Sequence, residues 1–158
     1  MQDPEENIPN LPQGRYDIAL GLSAKRYNSN GQLWSPEANN EINSVYGDVV
    51  QVNGQPWPYL KVEPRKYRLR FCNTALSRTF QMYFENEAGA KQSFNFIGSD
   101  SGLMTKPISS NQIDLSMGER WEVVFDFAAF QGKNVTLRNN RAVGVDTDYP
   151  DTDKVMRE

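Results

Sequence analysis

Histidine is absent from this sequence of 158 residues, and cysteine occurs once, as Cys72. Without imidazole the chain cannot form a Ser-His-Asp or Cys-His catalytic group, nor the usual histidine-containing sites for zinc and copper. A lone cysteine forms no internal disulfide, and without a histidine or second cysteine to activate it, it is a poor candidate nucleophile. The cysteine count leaves the redox compartment open, and we predict no catalytic residue.

Long apolar runs and a basic surface are also missing. No apolar run approaches the roughly 20 residues of a membrane span, and MQDPEENIPNLPQG has neither the basic start nor the apolar middle of a signal peptide. The 17 basic and 20 acidic residues are mixed along the chain, without the clustered Lys and Arg face that phosphate binding needs. We therefore expect no membrane and no nucleic-acid partner, and no signal peptide in this sequence.

The sequence does contain many short segments of alternating apolar and polar residues. The first fourteen residues, rich in Pro, Asn and Glu, show no such pattern, which predicts an arm or interdomain linker over residues 1–14 and one domain over residues 15–158. The alternation predicts strands at Tyr16–Ser23, Asp48–Val52, Tyr67–Phe71, Phe80–Phe84, Phe94–Ile97, Ile113–Leu115, Trp121–Asp126 and Val135–Leu137.

Turn signals between these strands favour an all-β sandwich or Greek-key barrel. Asn53-Gly54 predicts a tight hairpin, because both residues tolerate positive φ angles. In KYRLRF, residues 66–71, the apolar residues alternate with Arg68 and Arg70, so we expect both arginines to face water. FAAFQGK, residues 127–133, predicts at most one helical turn.

Oxygen ligands for calcium are concentrated in DTDYPDTD, which contains Asp146, Asp148, Asp151 and Asp153. This spacing lacks the glycine and terminal glutamate of a helix-loop-helix calcium site. A solvated acidic turn is the favoured interpretation, and we predict no metal site.

Two surface features are candidates for other roles. Trp57, Pro58 and Tyr59 form a rigid aromatic knob that predicts a wedge closing one end of the sandwich or a contact with a neighbouring domain, with a ligand platform as the less favoured alternative. Asn134-Val135-Thr136 is a sequon, which makes Asn134 a candidate glycosylation site if the protein is secreted.

Five segments form an ordered set: GDVVQVNGQPWPYLKVEPRKYRLRF (47–71), SRTFQMYF (77–84), IGSDSGLM (97–104), LSMGERWEVVFDF (115–127) and DTDYPDTDKVMR (146–157). In this order they resemble the middle cupredoxin-like domain of three-domain multicopper oxidases. The resemblance is closest to the fungal bilirubin oxidases and more distant to spore-coat laccases and phenoxazinone synthases. Cys72 departs from the pattern of these relatives, which tend to have an aliphatic or polar residue there.

The resemblance implies a cupredoxin-like Greek-key β-sandwich. In such enzymes the first and third domains supply every copper ligand: the type 1 copper lies in the third domain and the trinuclear cluster lies between the first and third. The middle domain binds none. The resemblance therefore implies no cofactor in this chain, copper in a longer parent enzyme, and the first and third cupredoxin domains of that parent as partners.

Two functions follow as hypotheses. The first is a non-catalytic middle domain, inactive alone, of a secreted oxidase that couples oxidation of phenols or bilirubin-like substrates to reduction of dioxygen to water. The alternative is a free-standing binding or scaffold domain that has lost its enzyme and holds a partner strand through QPWPYL or an open sheet edge. Self-association of the isolated domain is a further expectation.

Overall fold

The computed structural model describes residues 11–39, 46–140 and 153–157, and within them the chain is built almost entirely of strands. The first ten residues of the predicted arm lie outside this description, so the boundary near Gly14 stays a prediction. The twelve strands of the described ranges are β1 Asp17–Lys25, β2 Val49–Val52, β3 Gln55–Pro56, β4 Lys66–Asn73, β5 Phe80–Asn86, β6 Lys91–Gln92, β7 Phe94–Ser99, β8 Gly102–Ser110, β9 Ile113–Leu115, β10 Arg120–Asp126, β11 Val135–Asn139 and β12 Lys154–Arg157.

Helical structure in the described ranges is limited to single 3-10 turns at Gly14–Tyr16, Glu37–Asn39 and Ala128–Phe130. None of these is long or apolar enough for a membrane span. The last of them coincides with the single helical turn that FAAFQGK predicts.

The strands form two sheets. The larger has seven strands in the order β3-β2-β1-β4-β10-β7-β8, and the smaller has the order β12-β11-β5-β6, with β9 also paired to β5. Every pairing is antiparallel except β1 with β4, which run parallel. The predicted all-β class is confirmed.

Apolar side chains from both sheets meet in one core. Strand β4 contributes Leu69 and Phe71, and β5 contributes Phe84, each at most 1% exposed. The rings of Phe84 and Phe125, from opposite sheets, lie with their centroids 4.3 Å apart. Burial of each such phenyl group stabilises the fold by about 2 kcal/mol, so the two sheets are held together mainly by their inward-facing rows.

The predicted hairpin at Asn53-Gly54 is confirmed. The φ angles are 51° at Asn53 and 81° at Gly54, as a tight turn between β2 and β3 requires. The Asn53 side chain also accepts a hydrogen bond from the Gly21 N–H (2.7 Å) and donates one to the Ala19 carbonyl (2.9 Å). The turn residue thereby joins the hairpin to β1.

All eight predicted strands are present, with ends within two residues of those predicted. The sequence patterns missed β3, β6, β8 and β12. The largest omission is β8, which pairs only with β7 at the sheet edge and is mostly exposed along its length. Because neither face of β8 is buried, its sequence shows no alternation. The strand also contains Pro107, a residue that is rare inside strands except at sheet edges.

The expectation that Arg68 faces water is wrong. Its side chain is 3% exposed, and its Nε donates a hydrogen bond to Glu122 Oε2 at 2.9 Å. On the other flanking strand, β1, Asp17 Oδ2 lies 3.7 Å from Arg68 Nη1. Arg70, by contrast, is 44% exposed. The alternation correctly places Arg68 on the outer face, but carboxylates from β1 and β10 cover it there.

Candidate functional site

An open cleft of 590 Å³ occupies one end of the sandwich. One wall is the segment 59–64 that leads into β4, and the other consists of Phe127 and residues 130–135, between β10 and β11. Lys66 at the start of β4 lies opposite Asp126 at the end of β10. Both walls therefore leave the larger sheet at the same end. The volume is within the usual range for binding sites.

The base of the cleft is fixed by contacts between its walls. Tyr67 accepts a hydrogen bond on its hydroxyl from the Glu63 N–H at 2.9 Å, and its ring packs edge-on against Phe127 at 5.5 Å. The Phe127 N–H donates to the Arg65 carbonyl at 3.0 Å. Pro64 has no N–H to donate to a sheet, which helps to keep the first wall out of the strand pairing. The two segments thus rest on an aromatic floor.

Apolar side chains above this floor are open to solvent. Tyr59 is 69% exposed, while Leu60, Val62 and Phe130 are half-buried. Phe130 stacks on Phe125 with centroids 5.8 Å apart, so its ring has a fixed position. Exposed apolar surface arranged in a groove is typical of a docking site.

Arg15, Tyr16 and Glu63 form a polar network at the rim. Arg15 Nη2 lies 2.8 Å from Glu63 Oε1, and the Tyr16 hydroxyl donates to Glu63 Oε2 at 3.0 Å. The hydrogen bond from Arg15 to Tyr16 and the negative charge of Glu63 raise the pKa of the Arg15 guanidinium. Arg65 lies over the Tyr16 ring, 3.6 Å from its centroid. The network fixes the segment before β1 to the first wall.

The predicted contact residues Trp57, Pro58 and Tyr59 differ in their position relative to the cleft. Only Tyr59 lines the cleft. Trp57 has a φ of 41°, unusual for a bulky residue, and its N–H donates to the Val50 carbonyl at 3.3 Å. Trp57 is therefore part of the β2–β3 edge, and its interdomain role stays a prediction together with that of Pro58.

Asn134, the candidate glycosylation site, is exposed and lies on the second wall. Its backbone N–H and its Nδ2 both donate to Glu87 Oε1 at 3.0 Å. An acceptor asparagine must be accessible, and Asn134 meets that condition. Because Asn134 and Tyr59 line the same cleft, a glycan and a docked protein surface would compete for this rim.

Sequence reasoning missed the second wall. Phe130 and Lys133 received no role, although FAAFQGK was identified as a single helical turn. The sequence did contain a signal for this wall. Phe125 and Phe127 continue the strand alternation, whereas Phe130 falls outside it and had no predicted place in the core.

The described residues offer no cluster of side chains suited to holding a metal ion. No three His, Cys, Asp or Glu side chains come together there. Cys72 is half-buried, and its register neighbours on the flanking strands are Gly21 and Arg120. Copper prefers imidazole nitrogen and sulfur, and these neighbours offer neither, so the Cys72 environment does not fit a copper site.

The described residues include one member of the acidic segment DTDYPDTD, Asp153. Asp146, Asp148 and Asp151 lie outside the described residues. Asp153 Oδ2 accepts a hydrogen bond from Arg138 Nη1 at 2.8 Å. This carboxylate therefore already has a cationic partner.

Comparison with known proteins gives consistent matches. The family profile described as Multicopper oxidase matches residues 21–153. A bilirubin oxidase of Albifimbria verrucaria is 47% identical over 99% of this chain and 28% of its own length. A laccase of Bacillus subtilis (strain 168) is 34% identical over 97% of this chain and 31% of its own length.

Solved structures agree with the sequence matches. A laccase of Pediococcus acidilactici superposes with a TM-score of 0.79 at 26% identity, covering 98% of this chain and 31% of the laccase. The McoA multicopper oxidase of Aquifex aeolicus has a TM-score of 0.78 at 28% identity. This match covers 93% of this chain and 32% of the McoA chain. The chain thus spans about a third or less of the length of these relatives, and its β-sandwich matches their cupredoxin-like domains. On its profile match and its identity to these proteins, the chain belongs to the multicopper oxidase family.

Proposed function

We propose that the chain is a non-catalytic middle domain of a multicopper oxidase, which organises flanking copper-binding domains and itself binds no copper. The observation that carries the proposal is the absence of histidine from all 158 residues. Copper sites of this family need imidazole ligands. A family member of this composition depends on other parts of a longer polypeptide, here called the parent enzyme, for every such ligand.

The proposal extends to the organisation of the parent enzyme. Residues 1–14 link the domain to the first cupredoxin domain, and residues 15–158 form the domain itself. The parent is exported and couples the oxidation of phenols or bilirubin-like substrates to the reduction of dioxygen to water. The relatives named as bilirubin oxidase and laccase support this class of chemistry. The isolated chain is inactive, and it self-associates through surfaces that the outer domains otherwise cover.

Copper content tests the proposal directly. The purified chain is loaded with copper, desalted and analysed for the metal, in parallel with a dioxygen-uptake assay that uses a phenolic dye. The bilirubin oxidase of Albifimbria verrucaria serves as the positive control for both measurements. We expect copper far below one ion per chain and no dioxygen uptake. Copper held stoichiometrically after desalting, or catalytic uptake by the chain alone, would contradict the proposal.

A comparison of the chain with its genomic context separates the proposal from the free-standing alternative. Histidine-rich copper motifs encoded in the same reading frame, on both sides of this sequence, are expected. A reading frame confined to these 158 residues would instead favour a binding or scaffold domain.

A further inference from the structure

The first and last described residues lie at the same end of the sandwich as the cleft. Leu11, the first described residue, lies with Gln13 in a hollow lined also by Tyr16 and Arg65. At the other terminus, Arg157 in β12 is in register with Thr136, the residue after the cleft wall. Segments that precede residue 11 or follow residue 157 therefore continue from the end of the sandwich that carries the cleft.

The segment that enters the domain before β1 is attached to the first wall of the cleft by two side-chain contacts. Between Leu11 and β1, the side chains of Arg15 and Tyr16 both contact Glu63, at 2.8 Å and 3.0 Å. Glu63 lines the cleft. A domain connected at Leu11 is thus held next to this surface at a high effective concentration.

The rim charges indicate the character of the complementary surface. Glu63 is paired with Arg15. Lys61 and Lys133 also line the cleft and are exposed, and no carboxylate of the described residues pairs with either ammonium group. Among the described residues, the cleft therefore presents an apolar interior with exposed positive charge at its edge, which complements an apolar surface bordered by acidic side chains.

We propose that this cleft is the docking surface for the domain of the parent enzyme that precedes residue 11. The inference rests on the proposed function and names the face through which the outer domain is held. The relatives support a whole domain as the occupant, because this chain covers only 28% of the bilirubin oxidase and 31% of the laccase. Apolar side chains of the docked domain pack between Tyr59 and Phe130, and its acidic side chains pair with Lys61 and Lys133.

Two matched variants test the docking surface. Tyr59→Asp and Leu76→Asp each place a carboxylate at a highly exposed apolar position, 69% and 74% exposed respectively. Leu76 is in the loop between β4 and β5, at the other end of the sandwich. In the copper-loaded parent enzyme, we expect Tyr59→Asp to lower the Tm by about 3 °C or more relative to Leu76→Asp. In the isolated chain, we expect the difference in Tm between the two variants to be smaller than it is in the parent enzyme.

Lysine labelling provides a readout that needs no substitution. An amine-reactive acetylating reagent is applied to the isolated chain and to the parent enzyme, with Lys106 in the exposed edge strand β8 as the internal reference. We expect Lys61 and Lys133 to react several-fold more slowly, relative to Lys106, in the parent than in the isolated chain. Equal relative rates in the two forms, or equal Tm losses for the two parent variants, would overturn the docking assignment.

Failure of this inference is distinguishable from failure of the proposed function. A parent enzyme that holds copper while the isolated chain holds none supports the proposed function, whatever the reactivity of Lys61 and Lys133. If this chain itself bound copper stoichiometrically, the proposed function would fail, and the labelling pattern would still report whether the cleft is covered. Protection of Lys61 and Lys133 in the isolated chain that is lost on dilution would show the self-association that the proposed function expects. The isolated chain is therefore labelled at concentrations where this protection is absent.

Discussion

The two ends of the sandwich are closed in different ways. At the end opposite the cleft, the loops after β4 and before β10 are held by buried polar side chains. Asn73 and Arg78 are each 1% exposed, and both donate hydrogen bonds to backbone carbonyls, which for Arg78 are those of Tyr46 and Gly47. At the cleft end, aromatic contacts form a floor, and the apolar walls above it remain open.

Exposure of single apolar residues does not separate these ends. Leu76 is 74% exposed at the opposite end, and Tyr59 is 69% exposed at the cleft. The difference lies in the surroundings, because Tyr59 belongs to a groove with further apolar side chains such as Phe130. The opposite end satisfies its backbone within the domain, whereas the cleft end has apolar surface to bury against another surface. Substitutions of the buried polar side chains at the opposite end should therefore affect the isolated chain strongly, and substitutions of the exposed side chains at the cleft rim should affect it weakly.

The largest effect is expected for Asn73→Ala. Asn73 Nδ2 donates to the carbonyls of Arg78 (2.7 Å) and Leu115 (3.0 Å), and its Oδ1 accepts from the Ala75 N–H (2.9 Å). The substitution leaves these groups without their partner in a buried site, which we expect to lower the free energy of unfolding by about 3 kcal/mol. Urea denaturation of the isolated chain measures this loss.

Asn140→Ala is the matched control for this prediction. Asn140 is exposed, and its Nδ2 donates to Gln81 Oε1 at 2.8 Å. We expect its loss to be below about 0.5 kcal/mol, as is usual for surface substitutions. Similar urea midpoints for the two variants would show that the opposite end does not depend on its buried asparagine.

A smaller effect at the same end is expected for Gly47→Ala. Gly47 has a φ of 72°, and an added Cβ would lie 2.6 Å from the backbone carbon of Ala24. Gly31 also has a positive φ, 81°, but a Cβ there meets nothing within 4 Å. Gly31→Ala should cost about 1 kcal/mol from backbone strain alone. Gly47→Ala should cost about 1–2 kcal/mol more, because the strand backbone must move.

Thermal unfolding of both glycine variants, followed by circular dichroism, gives this difference as a shift in Tm. Equal shifts would mean that the contact between Gly47 and β1 is loose. The opposite end would then be less rigid than its hydrogen bonds imply.

The fold was largely predictable from sequence because inward-facing rows of apolar residues alternate in most strands. Leu69 and Phe71 were placed correctly for that reason. Strand β8 was not, since an edge strand exposed on both faces leaves no alternation to detect. Arg68 was misplaced because a one-dimensional pattern gives the face of a side chain but not the carboxylates that neighbouring strands bring to it.

The candidate site was predictable only in part. The proline-rich segment drew attention to Tyr59, which lines the cleft. It also drew attention to Trp57, whose N–H donates a hydrogen bond to the Val50 carbonyl at the β2–β3 edge and whose interdomain role stays a prediction. The second wall, with Phe130, comes from a segment about seventy residues further along the sequence, and only the register of β4 with β10 brings the two together. Sequence patterns are local, whereas the cleft depends on a long-range strand pairing.

The smallest effect is expected for Glu63→Gln at the cleft rim. The side chains of Arg15 and Glu63 are 72% and 49% exposed, so their ion pair is screened by water, and glutamine can still accept the hydrogen bond from Tyr16. We expect a loss below about 0.5 kcal/mol in the isolated chain, which disappears at about 0.5 M salt because the surviving difference is Coulombic. Urea denaturation at low and high salt measures both quantities. A loss above about 1 kcal/mol that persists in salt would break the contrast between the ends, because such a loss is typical of a network that closes its own end of the domain.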